Sequence, residues 1–112
     1  MGKNLPFTDL TVGGKNYMLR LTALSAVKLE ERLGCSIYEG AKRLSEVTAA
    51  TEFLFALIVS LRPEITRSEV YSIFDEFISE GGSLRKLNGI IAQALGASGF
   101  FDIGGEDSPP QK

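Results

Sequence analysis

Apolar and polar residues alternate in two stretches near the start of the chain. Leu10 and Val12 share one parity, Tyr17, Leu19 and Leu21 share another, and Gly13-Gly14-Lys15-Asn16 lies between them. Period-two alternation puts one set of side chains on one strand face, and glycines supply the positive φ of a tight connection, so the pattern predicts a β-hairpin. The period then lengthens. Thr22 is placed to cap a helix over residues 22–33, with Leu24, Val27, Leu29 and Leu33 on its apolar face and Gly34 ending it. Ser36 followed by Glu39 has capping-box spacing and predicts a short helix over 37–46.

A third helix is expected from Thr48. Its centre, Phe53-Leu54-Phe55-Ala56-Leu57-Ile58-Val59, is apolar on every face, the pattern of an element surrounded by the rest of the protein, and Arg62-Pro63 closes it. Thr66 and Glu69 form a second capping box, with Ile65 and Val70 at the positions of a hydrophobic staple. The helix they start carries Val70, Ile73, Phe74, Phe77 and Ile78 at i, i+3, i+4, i+7 and i+8 and stops at Gly81-Gly82. Ser83 caps a fifth helix with Leu84, Leu87, Ile91 and Leu95 on one face, weakened at Gly89 and ending near Gly96. The fold class expected is mainly α: a compact bundle of about five helices with an N-terminal β-hairpin and a disordered C-terminal tail. Its divisions are a flexible arm over 1–9, one helical domain over 10–101, and a Gly-, Pro- and acid-rich tail over 102–112 with little to bury.

At 112 residues, 44% of them apolar and 23% charged, the chain has the size and composition of one folded unit with a core of its own. A net charge of −2, a pI near 5.1 and the lack of a Lys/Arg stripe argue against nucleic acid as a partner. The apolar run Phe53 to Val59 is far shorter than the roughly 20 residues that cross a bilayer, so no membrane span is expected. Cys35 is the one cysteine, and Met1 to Pro6 lack the apolar run of a secretory signal; a reducing cytoplasm fits both.

Candidate chemistry is sparse. The sequence has no histidine, which removes the commonest general base and metal ligand and every Ser-His or Cys-His pair. Cys35 precedes a helix N-terminus, a place that lowers a thiol pKa, but a small buried hydrophobe is the commoner state of a lone cysteine. Gly13-Gly14-Lys15-Asn16 has Asp9 and Asn16 where a phosphate loop needs a glycine and a Ser or Thr. Asp75, Glu76, Ser79 and Glu80 lack the ligand spacing of a calcium loop and read as a solvated helix face. Catalytic, cofactor-binding and metal-ligating residues are therefore expected to be none, and the chain is read as a binding protein.

Two binding readings remain. The helices joined at Gly81-Gly82, with Arg85, Lys86 and Asn88 opening the second, have the outline of a helix-turn-helix DNA-binding regulator, though two basic residues are few for phosphate contacts. The other reading rests on apolar surface. Leu5-Pro6-Phe7 before the hairpin and Phe100-Phe101 with Ile103 after the last helix either fold back as lids on the core or act as arms that dock on other polypeptides.

The order of segments resembles a family. Tyr17-Met18-Leu19-Arg20-Leu21-Thr22, then Leu29-Glu30-Glu31-Arg32-Leu33-Gly34 with Ser36-Ile37, then Ile65-Thr66-Arg67-Ser68-Glu69-Val70-Tyr71 and Phe74-Asp75-Glu76-Phe77, closing on Glu80-Gly81-Gly82-Ser83 and Ser98-Gly99-Phe100-Phe101, is similar to the tail assembly chaperones of siphovirus-type bacteriophages of Gram-positive bacteria. The resemblance implies a non-catalytic protein made in the host-cell cytoplasm and absent from the mature virion. Such a protein binds the tape-measure protein and tail-tube subunits during tail morphogenesis. It also implies a homo-oligomer and, in many members, a longer frameshifted product. The family has no binding motif; from apolar surface alone, Tyr71, Phe74, Phe100 and Phe101 are the candidate partner-binding residues.

Overall fold

Gly13 and Gly14 both take positive φ, 61° and 76°, making the two-residue connection that lets Val12 pair directly with Lys15. The strands β1 (Thr8–Val12) and β2 (Lys15–Leu19) run antiparallel, and their register places Leu10 opposite Tyr17 and Thr8 opposite Leu19. Leu10, Val12 and Leu19 consequently share one buried face. The other face is exposed, with Asn16 Nδ2 donating to Asp9 Oδ1 at 3.2 Å. The computed structural model describes residues 7–100, so the arm over 1–6, Phe101 and the tail over 102–112 lie outside the described residues. Thr8 and Asp9, expected in the arm, are instead strand residues, because a β2 that reaches Leu19 pairs back as far as Thr8.

Five helices follow: α1 (Ala23–Leu33), α2 (Ile37–Ala41), α3 (Val47–Val59), α4 (Arg67–Ser79) and α5 (Leu84–Ala97). The protein is thus mainly helical with an N-terminal hairpin. Thr22 caps α1 as expected, and Ser25 completes the box by accepting from the Thr22 amide at 2.9 Å. The expected apolar face is corrected. Ser25, Ala26 and Leu29 point inward, while Leu24 and Val27 are 68% and 53% exposed. Small residues at the contact let α1 lie close to α3, and that packing outweighs the burial of two larger side chains.

The second helix is shorter than the span expected over 37–46. Ser36 accepts from the Glu39 amide, but the Glu39 carboxylate pairs with Lys42 instead of reaching back to close a box. From Lys42 onward the backbone turns through shorter bonds, Lys42 to Glu39 and Arg43 to Gly40, which end α2 and drop Leu44 into the core. Gly40 is buried at a close approach: a Cβ there would stand 2.5 Å from Leu33 Cδ1 and 3.2 Å from the Phe53 ring. Gly40→Ala gains up to about 1 kcal/mol of helix propensity but costs about 1–3 kcal/mol in overpacking. A net loss of about 1 kcal/mol is expected in urea unfolding, and a variant more stable than wild type would refute the tight packing described.

The central helix is α3, which touches α1, α4, α5 and β2. It starts at Val47, one residue before the Thr48 expected, with no side-chain cap at Glu46. Phe53, Leu54 and Leu57 are fully enclosed. Thr66 and Glu69 form their reciprocal box at the start of α4, and Ile65 and Val70, at the staple positions, are both buried. Along α4, Val70, Ile73 and Phe74 are buried, but Phe77 is only half-buried and Ile78 is 41% exposed, so the expected stripe leaves the core at its C-terminal end. Ser83 caps α5, which buries Leu87, Ile91, Ala94 and Leu95 and extends through Ala97. Ser98 Oγ then accepts from the Leu21 amide at 2.8 Å, tying the end of α5 to the exit of the hairpin.

Candidate functional site

One side of α3 is left open between its two flanking helices. Toward its C-terminal half, α1 and α3 enclose a depression of about 720 Å³ whose apolar walls include Leu24, Leu29, Phe55 and Val59. Toward its N-terminal half, α3 and α4 enclose a second of about 700 Å³, walled by Val47, Tyr71, Phe74 and Ile78. Glu52 is the residue the two linings share, so it stands between them.

Glu52 is a charged residue only 8% exposed, and two arginines answer it. Arg67 of α4 donates to its Oε1 at 3.0 Å and Arg32 of α1 to its Oε2 at 3.3 Å. Arg67 also lies over the Phe55 ring, 4.3 Å from its centroid. Burial pushes the Glu52 carboxyl up, but the hydrogen bonds and charges of Arg67 and Arg32 outweigh this and hold its pKa below the ordinary value. The ion cluster therefore ties α1 and α4 to α3 between the two depressions.

The expected partner-binding residues separate. Tyr71 and Phe74 both line the depression between α3 and α4; Tyr71 is 53% exposed, while Phe74 is 9% exposed and belongs to its floor and the core. Phe100 is elsewhere. It packs on the core, its amide donates to Leu95 O at 3.3 Å, and its carbonyl accepts from the Tyr38 hydroxyl at 2.9 Å. For Phe100 the fold-back arrangement is the one observed, and Phe101 lies outside the described residues.

Leu24, Val47, Ile78 and the Arg32–Glu52–Arg67 cluster were not among the expected residues. The signal available for the cluster was a single carboxylate, Glu52, inside an otherwise apolar helix, since such a charge is almost never buried without a partner. At the α4–α5 joint, Arg85 and Lys86 are exposed, whereas Asn88 is half-buried with its Oδ1 enclosed and unpaired. Arg43 donates to the half-buried Cys35 Sγ at 3.8 Å. Among the described residues no three His, Cys, Asp or Glu side chains gather to hold a metal ion, and no helix is long and apolar enough to cross a membrane.

Compared with models of known protein families, with curated proteins and with solved structures, the chain matches none of them.

Proposed function

We propose that this protein is a non-catalytic tail assembly chaperone of a siphovirus-type bacteriophage, acting in the host cytoplasm on the tape-measure protein and on tail-tube subunits. The observation that carries the reading is the pair of open depressions beside α3, where Leu24, Val47, Tyr71 and Ile78 leave large apolar surface uncovered. Exposed apolar surface gathered in a depression is a feature of partner-binding sites. The order of segments that resembles the chaperone family supports the same role.

A tape-measure protein is a long helical chain with apolar stripes, and many copies of a small domain cover it by avidity, each needing only modest affinity. Co-expression with a fragment of the tape-measure protein from the same phage is expected to move that fragment from the pellet to the supernatant. Sedimentation of the purified protein is expected to show concentration-dependent self-association. A strictly monomeric protein that leaves the fragment insoluble would overturn the proposal.

A further inference from the structure

The described chain starts at Phe7, just before β1, so the place where residues 1–6 leave the body is fixed. Thr8 pairs with Leu19, and strand spacing sets this end of β1 about 5 Å from β2. The residue after Leu19 is anchored at the C-terminal end of α3: the Arg20 amide donates to Leu57 O, and the Arg20 carbonyl accepts from Ser60 Oγ. Ser60 also lines the depression between α1 and α3, as does Thr22 just beyond Arg20. Residues 1–6 therefore leave the body beside the rim of that depression. Extended, they span about 20 Å, while the stretch of α1 from Leu24 to Glu31 that walls the depression is about 10 Å long. The depression between α3 and α4 is farther than the arm can reach. Its Val47 wall lies about 15 Å along α3 from Leu57, and the width of α4 adds about 10 Å more. The hairpin tip sits on the far flank of α4, where the Gly13 amide donates to Glu80 Oε2 and the Glu76 carboxylate stands against Gly13. Tyr71 and Ile78 lie on the opposite flank of the same helix.

We infer that the depression between α1 and α3 is the docking site of this chain's own residues 1–6, with Leu5 and Pro6 set against Leu24, Phe55 and Val59. The arm has the composition for it: Met1, Leu5 and Pro6 are apolar, and Lys3 is its one charged side chain. The wall has the need, since Leu24 is 68% exposed and burying such a side chain is favourable. The occupant is the arm of the same copy because covalent attachment holds it at an effective concentration of about a millimolar, which a second copy in dilute solution does not match. The two depressions consequently differ in kind. A partner that enters beside α1 must first displace the arm, whereas Val47, Tyr71 and Ile78 beside α4 stay open to a partner from the start. The inference does not depend on the chaperone reading.

The test uses the full-length protein carrying Cys35→Ser, so that two introduced cysteines are its only thiols. Asn4→Cys with Lys28→Cys puts one thiol in the arm and one on the α1 wall, leaving Leu5 and Leu24 in place. Asn4→Cys with Thr48→Cys, on the α3–α4 depression, is the control. Lys28 and Thr48 are both exposed, so neither substitution disturbs the core. A disulfide closes only where the two backbones approach within about 7 Å. Under mild oxidation the first pair is expected to close within one chain at least about tenfold faster than the second, at a rate independent of protein concentration. A second reporter uses no cysteine. The sequence has no tryptophan, so Leu24→Trp gives a single emitter on the α1 wall. Adding Leu5→Asp is expected to move its emission to longer wavelength and to raise its quenching by acrylamide. Equal closure of both cysteine pairs refutes the inference, as does tryptophan emission indifferent to Leu5→Asp. Closure that accelerates with protein concentration and yields linked dimers also overturns it, by assigning the depression to the arm of a second copy.

Discussion

Replacing Phe53 by alanine is expected to lower the free energy of unfolding by about 3–5 kcal/mol. Its ring is fully buried in α3, and α3 is the helix against which α1, α4, α5 and β2 all pack. The neighbours cannot collapse into the space, because each is also held elsewhere: α1 and α4 by their capping boxes, α5 by the Ser98 bond to Leu21. A cavity remains, and its lining loses dispersion contacts outright. For a domain of this size, with about 5–15 kcal/mol of total stability, the loss approaches unfolding at 37 °C. Equilibrium urea unfolding measures it, and a loss under about 1 kcal/mol would mean that Phe53 does not sit at the centre of the core.

The second large effect is expected at Glu52. Glu52→Gln preserves shape but leaves Arg32 and Arg67 facing each other without a carboxylate, at an expected cost of about 1–3 kcal/mol at pH 7. The figure stays below that for a fully enclosed ion pair because Arg32 and Arg67 retain 55% and 34% side-chain exposure, and water screens them. The same group gives a pH signature. Its folded pKa is depressed below the ordinary value near 4.5, so its contribution is fully present above that pH and is lost as pH falls through the folded value. The stability gap between wild type and Glu52→Gln is therefore expected to be widest at neutral pH and to shrink steadily below about pH 4.5. A gap that stays constant from pH 7 to pH 3 would show that the carboxylate is not engaged by the arginines.

The local signals in the sequence were strong wherever the chain specifies its own ends. Thr22, Ser36, Thr66 and Ser83 each accept from the amide three residues on, and the Ile65–Val70 staple needs nothing beyond one helical turn. Gly13-Gly14 fixes the hairpin and its register in the same way, since the alternating pattern on both sides allows one pairing. The all-round apolar character of α3 placed it at the centre, because such a helix has no face to give to water.

The sequence pattern misassigned what depends on neighbours. On α1 two stripes competed, one of large residues through Leu24 and Val27 and one of small residues through Ser25 and Ala26, and only the closeness of α3 decides for the second. The end of α2 lies where the backbone turns through the Lys42–Glu39 and Arg43–Gly40 bonds to bury Leu44, and which residue enters the core is decided by the neighbouring segments. Glu52 finds Arg67 fifteen residues later and Arg32 twenty residues earlier, a pairing invisible to any period of 2 or 3.6.

The chain by itself thus determined its elements, their capped starts and the identity of its central helix, because caps, turns and amphipathic periods act over a few residues and carry their own energies. The depressions beside α3 were decided only in three dimensions. Whether an apolar side chain such as Leu24 or Val47 is core or surface depends on which helix lies beside it, and that is fixed only when the flanking helices pack against α3.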